Sequence, residues 1–201
     1  MNKTIAAAVL AAMVSSGGTA MAADDSPQWI LRVGAHYVEP AADNHDLVTV
    51  EAAQTLTFNL TRMIDDHWAV ELLAALPFEH DISLNDGGKV ADVKQLPPTL
   101  SLQYHFLSGG DFRPYLGAGL NATLFFEEDT TGPLEGADLK LGTSYGPALQ
   151  AGFDFDVGDT WFLNFDARWI DIDTRATLSG TSLGTVNIDP ITYGLSFGRS
   201  F

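Results

Sequence analysis

The most suggestive chemical motif in this chain surrounds Ser144. Residues 142–146 read GTSYG, which matches the G-x-S-x-G pattern of serine hydrolases. In those enzymes the serine lies on a sharp turn between a strand and a helix. Here Ser144 precedes the alternating stretch YGPALQAGFDF, which predicts a strand and leaves no place for that helix. The pattern also places no serine, histidine and acid on one strand face at one depth, so we expect no enzyme activity.

Metal and cofactor motifs are also missing from the sequence. There are no cysteines and five histidines, and none has the spacing of a zinc motif such as H-E-x-x-H. The stretch GAGLNA at 117–122 imitates a dinucleotide-binding fingerprint but lies inside a predicted strand with no helix after it. We therefore predict no metal and no cofactor. The acidic run 127–129 indicates a solvated loop; the alternative is a surface where divalent cations bridge the protein to an anionic lipid.

Length and charge narrow the class of protein. The chain has 201 residues, which suggests one domain, and its formal net charge is −16. A nucleic-acid partner is not expected, because phosphate binding requires a basic surface.

The first 22 residues resemble a secretory signal peptide. Lys3 is followed by an apolar run at 5–14 and by the A-x-A sequence at 20–22. The run is too short to span a bilayer, which takes about 20 residues. We expect cleavage after Ala22 and an exported domain over residues 23–201.

The exported part alternates between apolar and polar residues with almost no helical periodicity. The alternating stretches are joined by two kinds of connection, short polar turns and longer acidic or glycine-rich segments. The short and the long connections follow one another along the chain. This pattern is typical of an all-β fold, an eight-stranded antiparallel transmembrane β-barrel with short periplasmic turns and long extracellular loops. The predicted strands cover residues 28–38, 53–64, 68–78, 94–107, 113–127, 145–157, 160–178 and 186–201, and the predicted long loops cover 39–52, 79–93, 128–144 and 179–185. Only the loop at 128–144 is expected to hold a short helix.

The alternation predicts which face of each strand meets lipid. One face is continuously apolar, and the other carries the charged residues. Exposing charges to hydrocarbon costs a few kcal/mol each, about 2–4 for arginine, so we expect apolar side chains outside and charges inside. Near the short-turn rim this parity predicts a charged plug made of Arg32, Glu71, Asp154, Asp166 and Arg168.

Several stretches resemble the outer membrane protein W (OmpW) family of Gram-negative bacteria. They are VELLAALPFEHDI (70–82), LPPTLSLQYHF (96–106), FRPYLGAGLNATLFF (112–126), DIDTRA (171–176) and NIDPITYGLSFG (187–198). The resemblance implies an outer-membrane barrel with a largely hydrophobic passage that admits small apolar molecules and releases them sideways into the membrane. Leu73 matches an inward apolar position of the family, whereas Arg168 stands where an apolar aromatic residue is expected. The terminal Phe201 resembles the signature that the barrel assembly machinery recognises.

The inward parity toward the long-loop rim predicts the passage itself. Pro97 and Pro98 remove one backbone donor on each flank of their strand, which predicts a lateral gate with both seams weakened. Alternatively, the prolines form only a bulge, and the inward residues only fill a narrow barrel. The predicted passage residues are Leu73, Ala75, Pro77, Pro97 and Phe125.

These expectations favour a passive outer-membrane channel for small hydrophobic molecules. The alternative is a structural or adhesive barrel whose loops bind lipopolysaccharide or another partner. The expected partners are outer-membrane lipid, lipopolysaccharide and small apolar solutes, with no nucleic acid.

Overall fold

The computed structural model describes residues 28–40, 48–85, 87–107 and 110–201. The predicted signal peptide at 1–22 lies outside these residues, so its cleavage stays a prediction. Most of the described chain forms strands, and none of its helices is long and apolar enough to cross a membrane. The strands are β1 Trp29–Glu39, β2 Val48–Val50, β3 Ala53–Met63, β4 Trp68–Ala75, β5 Phe78–Leu84, β6 Lys89–Leu96, β7 Thr99–His105, β8 Phe112–Thr130, β9 Leu139–Leu141, β10 Ser144–Asp156, β11 Trp161–Ile170, β12 Asp173–Leu178, β13 Thr181–Asn187 and β14 Ile191–Ser200.

Eight of these strands close into a barrel. Going around it, antiparallel pairing joins β1 to β3, β3 to β4, β4 to β7, β7 to β8, β8 to β10, β10 to β11, β11 to β14, and β14 back to β1. Closure leaves none of these eight strands at a free edge, which a sheet in lipid requires. The predicted eight-stranded antiparallel barrel is confirmed.

The remaining strands extend the barrel wall at the long-loop end. β2, β5 and β6 continue it beside the upper part of β8, and β9, β12 and β13 form a separate small sheet. The predicted loops at 79–93 and 179–185 are therefore largely strand, because the alternation continues beyond the membrane. A 3₁₀ turn, Gly132–Leu134, lies in the loop where a short helix was expected.

The outward side of this extension carries charges. Glu79 and Lys94 face one another across β5 and β6, and neither is buried. Charged pairs on the outer face place the extension above the hydrocarbon layer.

The sidedness of the wall agrees with the parity prediction. The outward side chains of Val33, Leu72 and Leu149 are 40%, 47% and 53% exposed. The inward neighbours on the same strands are buried and polar, including Arg32, Glu71 and Gln150. Apolar side chains therefore meet lipid, and the charged ones face the lumen.

Arginines and aromatic rings mark the short-turn rim. Arg62 lies over the Trp29 ring at 5.2 Å, and Arg199 lies over the Trp161 ring at 5.2 Å. Amphipathic rings of this kind concentrate at membrane interfaces. Arg199 thus interrupts the apolar face only at its edge, where a long cationic side chain can reach water.

Candidate functional site

A buried network of charges crosses the lumen close to the short-turn rim. Arg32 in β1 donates from Nε and Nη2 to the two carboxylate oxygens of Asp154 in β10, at 3.1 and 2.7 Å. Its Nη1 donates to the Thr61 hydroxyl at 2.9 Å and lies 3.4 Å from Glu71. The bidentate pair on Asp154 is the stronger arrangement, because it matches the guanidinium fork to the carboxylate.

Glu71 links this pair to a second arginine. Its other oxygen accepts from Arg168 Nη1 at 2.9 Å, and Arg168 Nε donates to Asp166 at 2.6 Å. Asp166 lies 3.2 Å from Nε2 of His36. The five residues predicted as a charged plug therefore lie in one continuous network, and His36 extends it.

All of these side chains are excluded from water. Arg32 and Glu71 are 0% exposed, and Arg168 is 2% exposed. A buried charge is tolerated only when it is paired and hydrogen-bonded, which this network provides for both arginines. The network therefore neutralises the charges that parity directs into the lumen.

Aromatic rings pack against the network and help to close the lumen. The Arg32 guanidinium lies 5.3 Å from the Tyr115 ring and 5.5 Å from the Phe162 ring, and both residues are 1% exposed. Asn164 donates to the Tyr115 hydroxyl at 3.0 Å and to Asp154 at 2.8 Å. The sequence analysis missed Phe162, although its inward parity between Trp161 and Leu163 was a sufficient signal. Together these contacts form a closed floor.

A small cavity lies above the floor. It encloses about 20 Å³. Leu73 and Pro97 face it, as parity predicted, together with His36, Phe78 and Gln95. We call it the lower cavity.

A larger, almost wholly apolar cavity lies in the extracellular extension. It encloses about 90 Å³, and Phe125 lines it as predicted. Its other lining residues come from β2, β5, β6, β9, β12 and β13 and include Val50, Ile82, Val93 and Leu139. We call it the upper cavity.

Two of the predicted passage residues lie elsewhere. Ala75 packs against the buried cluster of Val38, Ala53 and Phe78 rather than lining either cavity. Pro77 is exposed, and Phe78, which is 3% exposed, takes the inward place. The parity shifts by one residue because the strand is interrupted between β4 and β5, and the prediction for Pro77 is corrected accordingly.

The two prolines interrupt the Cα pairing on both seams of their strand, and the gap toward β4 and β5 is the wider one. Cα pairing between β4 and β7 stops at Leu73 and Thr99 and resumes between β5 and β6 at Phe78 and Gln95. On the other side of the same strand the ladder to β3 continues, because the Leu76 N–H donates to the Leu56 carbonyl at 2.9 Å.

The opposite flank, toward β8, has a shorter gap between the pairs Thr99–Asn121 and Leu96–Leu124, and hydrogen bonds bridge it. The Ala122 N–H donates to the Pro98 carbonyl at 3.0 Å, and the Asn121 side chain donates to the carbonyls of Pro97 and Pro98 at 3.2 and 3.3 Å. Both flanks therefore lack Cα pairing at the prolines, and the flank toward β8 is the less weakened of the two. A carbonyl remains available where the proline N–H is lost, and β8 uses it.

The remaining sequence motifs occupy structural positions. Ser144 begins strand β10, and its hydroxyl accepts from the Asp173 N–H at 3.0 Å. A strand, not a helix, follows it, so the hydrolase elbow is not formed.

Three acidic side chains meet at the outer end of the barrel. Carboxylate oxygens of Asp171, Asp173 and Asp189 lie within 4.8 Å of one another, a spacing that could hold a cation but is common without one. Burial and the neighbouring carboxylates raise the pKa of Asp173. The cluster escaped the sequence analysis because it forms only when the chain around β12 folds back beside the start of β14.

Comparison with known proteins identifies the family. The sequence model of the OmpW family matches residues 13–201. The chain belongs to the OmpW family. Outer membrane protein W of Vibrio cholerae is 35% identical over 220 residues, covering 100% of both chains. The crystal structure of the outer membrane protein OprG from Pseudomonas aeruginosa superimposes with a TM-score of 0.78 at 35% identity, covering 88% of this chain and 97% of that one.

Another relative of this chain is named after a metabolic operon. The dibenzothiophene metabolism operon protein PahQ of Pseudomonas aeruginosa is 30% identical over 157 residues, covering 73% of this chain and 71% of that protein. Membership of the OmpW family and the closed barrel make this chain an integral outer-membrane protein of a Gram-negative bacterium, as predicted.

Proposed function

We propose that this protein is a passive channel for small hydrophobic molecules and that it releases them sideways through the barrel wall. One observation carries the proposal: the lower cavity lies against the interrupted seam. Leu73, Phe78 and Gln95 flank the gap in strand pairing, and all three line that cavity together with Pro97.

The floor supports sideways release rather than passage into the periplasm. The charged network and the Tyr115 and Phe162 rings fill the lumen below the lower cavity. Moving a molecule through them would separate buried ion pairs, which costs several kcal/mol. Among the described residues, the gap beside Pro97 is the route out of the lower cavity that requires the fewest interactions to be broken.

The lipid side of the gap is apolar. Leu76, Leu100 and Leu124 surround it on the outer face and are 41%, 56% and 44% exposed. A hydrophobic molecule leaving the lower cavity would therefore enter hydrocarbon directly and would not cross water. The name of the relative PahQ links that protein to an operon for dibenzothiophene metabolism, and dibenzothiophene is a compact apolar molecule.

A reversible cross-link across the gap tests the proposal. The chain has no cysteine, so Ala74→Cys with Pro98→Cys introduces the only thiols. The matched control is Leu72→Cys with Leu100→Cys, a directly paired position on the same seam. Paired antiparallel residues have Cα separations that a disulfide can span, and Ala74 and Pro98 directly follow the last such pair, Leu73 and Thr99.

Uptake of the apolar fluorophore N-phenyl-1-naphthylamine is measured in cells with an intact lipopolysaccharide layer. We expect the protein to accelerate uptake, oxidation of the Ala74–Pro98 variant to abolish that acceleration, and reduction to restore it. Oxidising the control variant should leave uptake unchanged. Equal uptake with and without the protein would refute the channel and would favour the adhesive barrel, whereas an unaffected cross-linked variant would refute sideways release alone.

The other partners remain predictions. The Phe201 side chain is 62% exposed, and its backbone pairs with Trp29 at the end of the closing seam. Recognition of that residue by the barrel assembly machinery and lipopolysaccharide binding by the loops are separate from the channel and need their own tests.

A further inference from the structure

Gln95 occupies a unique place between the two cavities. Of the described residues, it alone lines both the upper and the lower cavity. It pairs with Phe78 of the lower cavity on one side and with Phe125 of the upper cavity on the other. Its side chain is 1% exposed, so it separates the two spaces.

A chain of two hydrogen bonds holds the Gln95 side chain in place. Nδ1 of His80 lies 2.7 Å from the Glu51 carbonyl oxygen, and Nε2 of His80 lies 2.8 Å from Nε2 of Gln95. A carbonyl only accepts, so His80 must carry its proton on Nδ1. Nε2 of His80 is then the acceptor, and the Gln95 amide nitrogen donates to it.

In this arrangement the Gln95 amide is held through its nitrogen, and its oxygen takes no part in the hydrogen bond to His80. Within the described residues, the buried Gln95 oxygen has no hydrogen-bond partner. Nearly all buried polar side-chain atoms in proteins are satisfied, so the exception calls for an explanation. A side chain fastened through one end only can swing aside by breaking a single hydrogen bond.

We propose that Gln95 is the gate between the upper and lower cavities and that His80 holds it shut. The gate controls which molecules reach the seam, and in this respect it rests on the proposed channel function. Passage of any small molecule between the cavities requires the Gln95 side chain to move, whatever the natural solute is.

Cysteine labelling measures the gate without relying on transport. Thr192→Cys places a single thiol in the lower cavity, and Ile82→Cys places one in the upper cavity as the control for access from outside. The protein is inserted in lipid vesicles and treated with 2-(trimethylammonium)ethyl methanethiosulfonate, whose charge is permanent, and the labelled fraction is followed by mass spectrometry. The cationic reagent enters from water rather than through the lipid-facing gap.

In the Thr192→Cys background, we expect Gln95→Ala to accelerate labelling by more than about tenfold. This increase in rate exceeds the one expected from the loss of a single hydrogen bond. His80→Leu should accelerate it by about three- to tenfold, the factor for loss of that single bond. His80→Leu also keeps the test decisive if Gln95→Ala does not fold. Labelling of the Ile82→Cys protein should not respond to Gln95→Ala.

A second buried glutamine provides the matched control. Gln103 is 0% exposed and lines neither cavity, and its amide nitrogen has no hydrogen-bond partner within the part of the chain that the structure describes. Gln103→Ala should leave labelling of the Thr192→Cys protein unchanged. Equal labelling rates in folded Gln95→Ala and His80→Leu variants and in the parent would overturn the gate, as would equal acceleration by Gln103→Ala.

Uptake of N-phenyl-1-naphthylamine separates this inference from the channel itself. If the parent protein does not accelerate uptake but Gln95→Ala accelerates labelling, the channel proposal fails and the gate stands. If the parent accelerates uptake and no variant alters labelling, the channel stands and the gate fails.

Discussion

Removal of the Asp154 carboxylate should destabilise the barrel strongly. Asp154→Ala removes both bonds of the bidentate pair with Arg32 and the bond from Asn164 at 2.8 Å. Arg32 is 0% exposed, and its remaining hydrogen-bond partners among the described residues are Thr61 and, at 3.4 Å, Glu71. Breaking a buried ion pair by removing one partner costs about 3–5 kcal/mol, and we expect a loss in this range.

Asp156 provides a matched control two residues away on the same strand. It pairs with Arg113 near the short-turn rim, where the side chains are 29% and 20% exposed. Water partly screens this half-buried pair, so Asp156→Ala should cost about 1 kcal/mol, less than the loss of the buried pair. The free energy of unfolding is measured by urea titration in lipid vesicles, with emission from the four tryptophans as the probe.

Equal destabilisation by Asp154→Ala and Asp156→Ala would refute the stabilising role of the buried network. A second variant excludes a purely steric cause. Arg32→Met together with Asp154→Leu removes both charges and should recover most of the loss, because apolar residues of similar volume can replace a buried pair. A double variant that is no more stable than Asp154→Ala would contradict the assigned cause.

Two further predictions concern the passage. Leu73 is 4% exposed in the lower cavity, so Leu73→Arg should fill that cavity and reduce uptake of the apolar fluorophore to the level without the protein, whereas the volume-conserving Leu73→Met should not. Unchanged uptake by a folded Leu73→Arg protein would argue against this route. His80 lies in the extracellular extension, where burial holds its pKa below the usual 6.5. The unfolded chain then binds the proton more readily, so the stability that His80 contributes is complete above about pH 6.5 and is lost as the pH falls toward the folded-state pKa. An NMR titration of the His80 ring with a midpoint at or above 6.5 would contradict this.

Much of the candidate site was predictable from local pattern. The five residues of the charged network share inward parity on their strands, and each strand displays that parity without knowledge of its neighbours. Parity also signalled Phe162, which was overlooked. It failed at Pro77, because an interruption between β4 and β5 moves the following residues to the opposite face.

The state of the proline seams could not be read from the sequence. Pro97 and Pro98 each lack an N–H, but the consequence depends on which partner uses the remaining carbonyls. β8 bonds the Pro98 carbonyl across a short gap in pairing, whereas the gap toward β4 and β5 is wider. The Gln95 and His80 pair was likewise invisible, because the two residues meet only through the register of β5 and β6.

The sequence by itself determined which side of the wall is wet, because a strand turns alternate side chains to opposite faces and the cost of a charge in lipid decides between them. Only the tertiary structure decided which charges meet. Arg32 and Asp154 are 122 residues apart in the chain, and strand order and register bring them into contact. The gap beside Pro97 and the position of Gln95 between the two cavities also depend on how neighbouring strands align. Alternation along a single strand carries no information about that alignment.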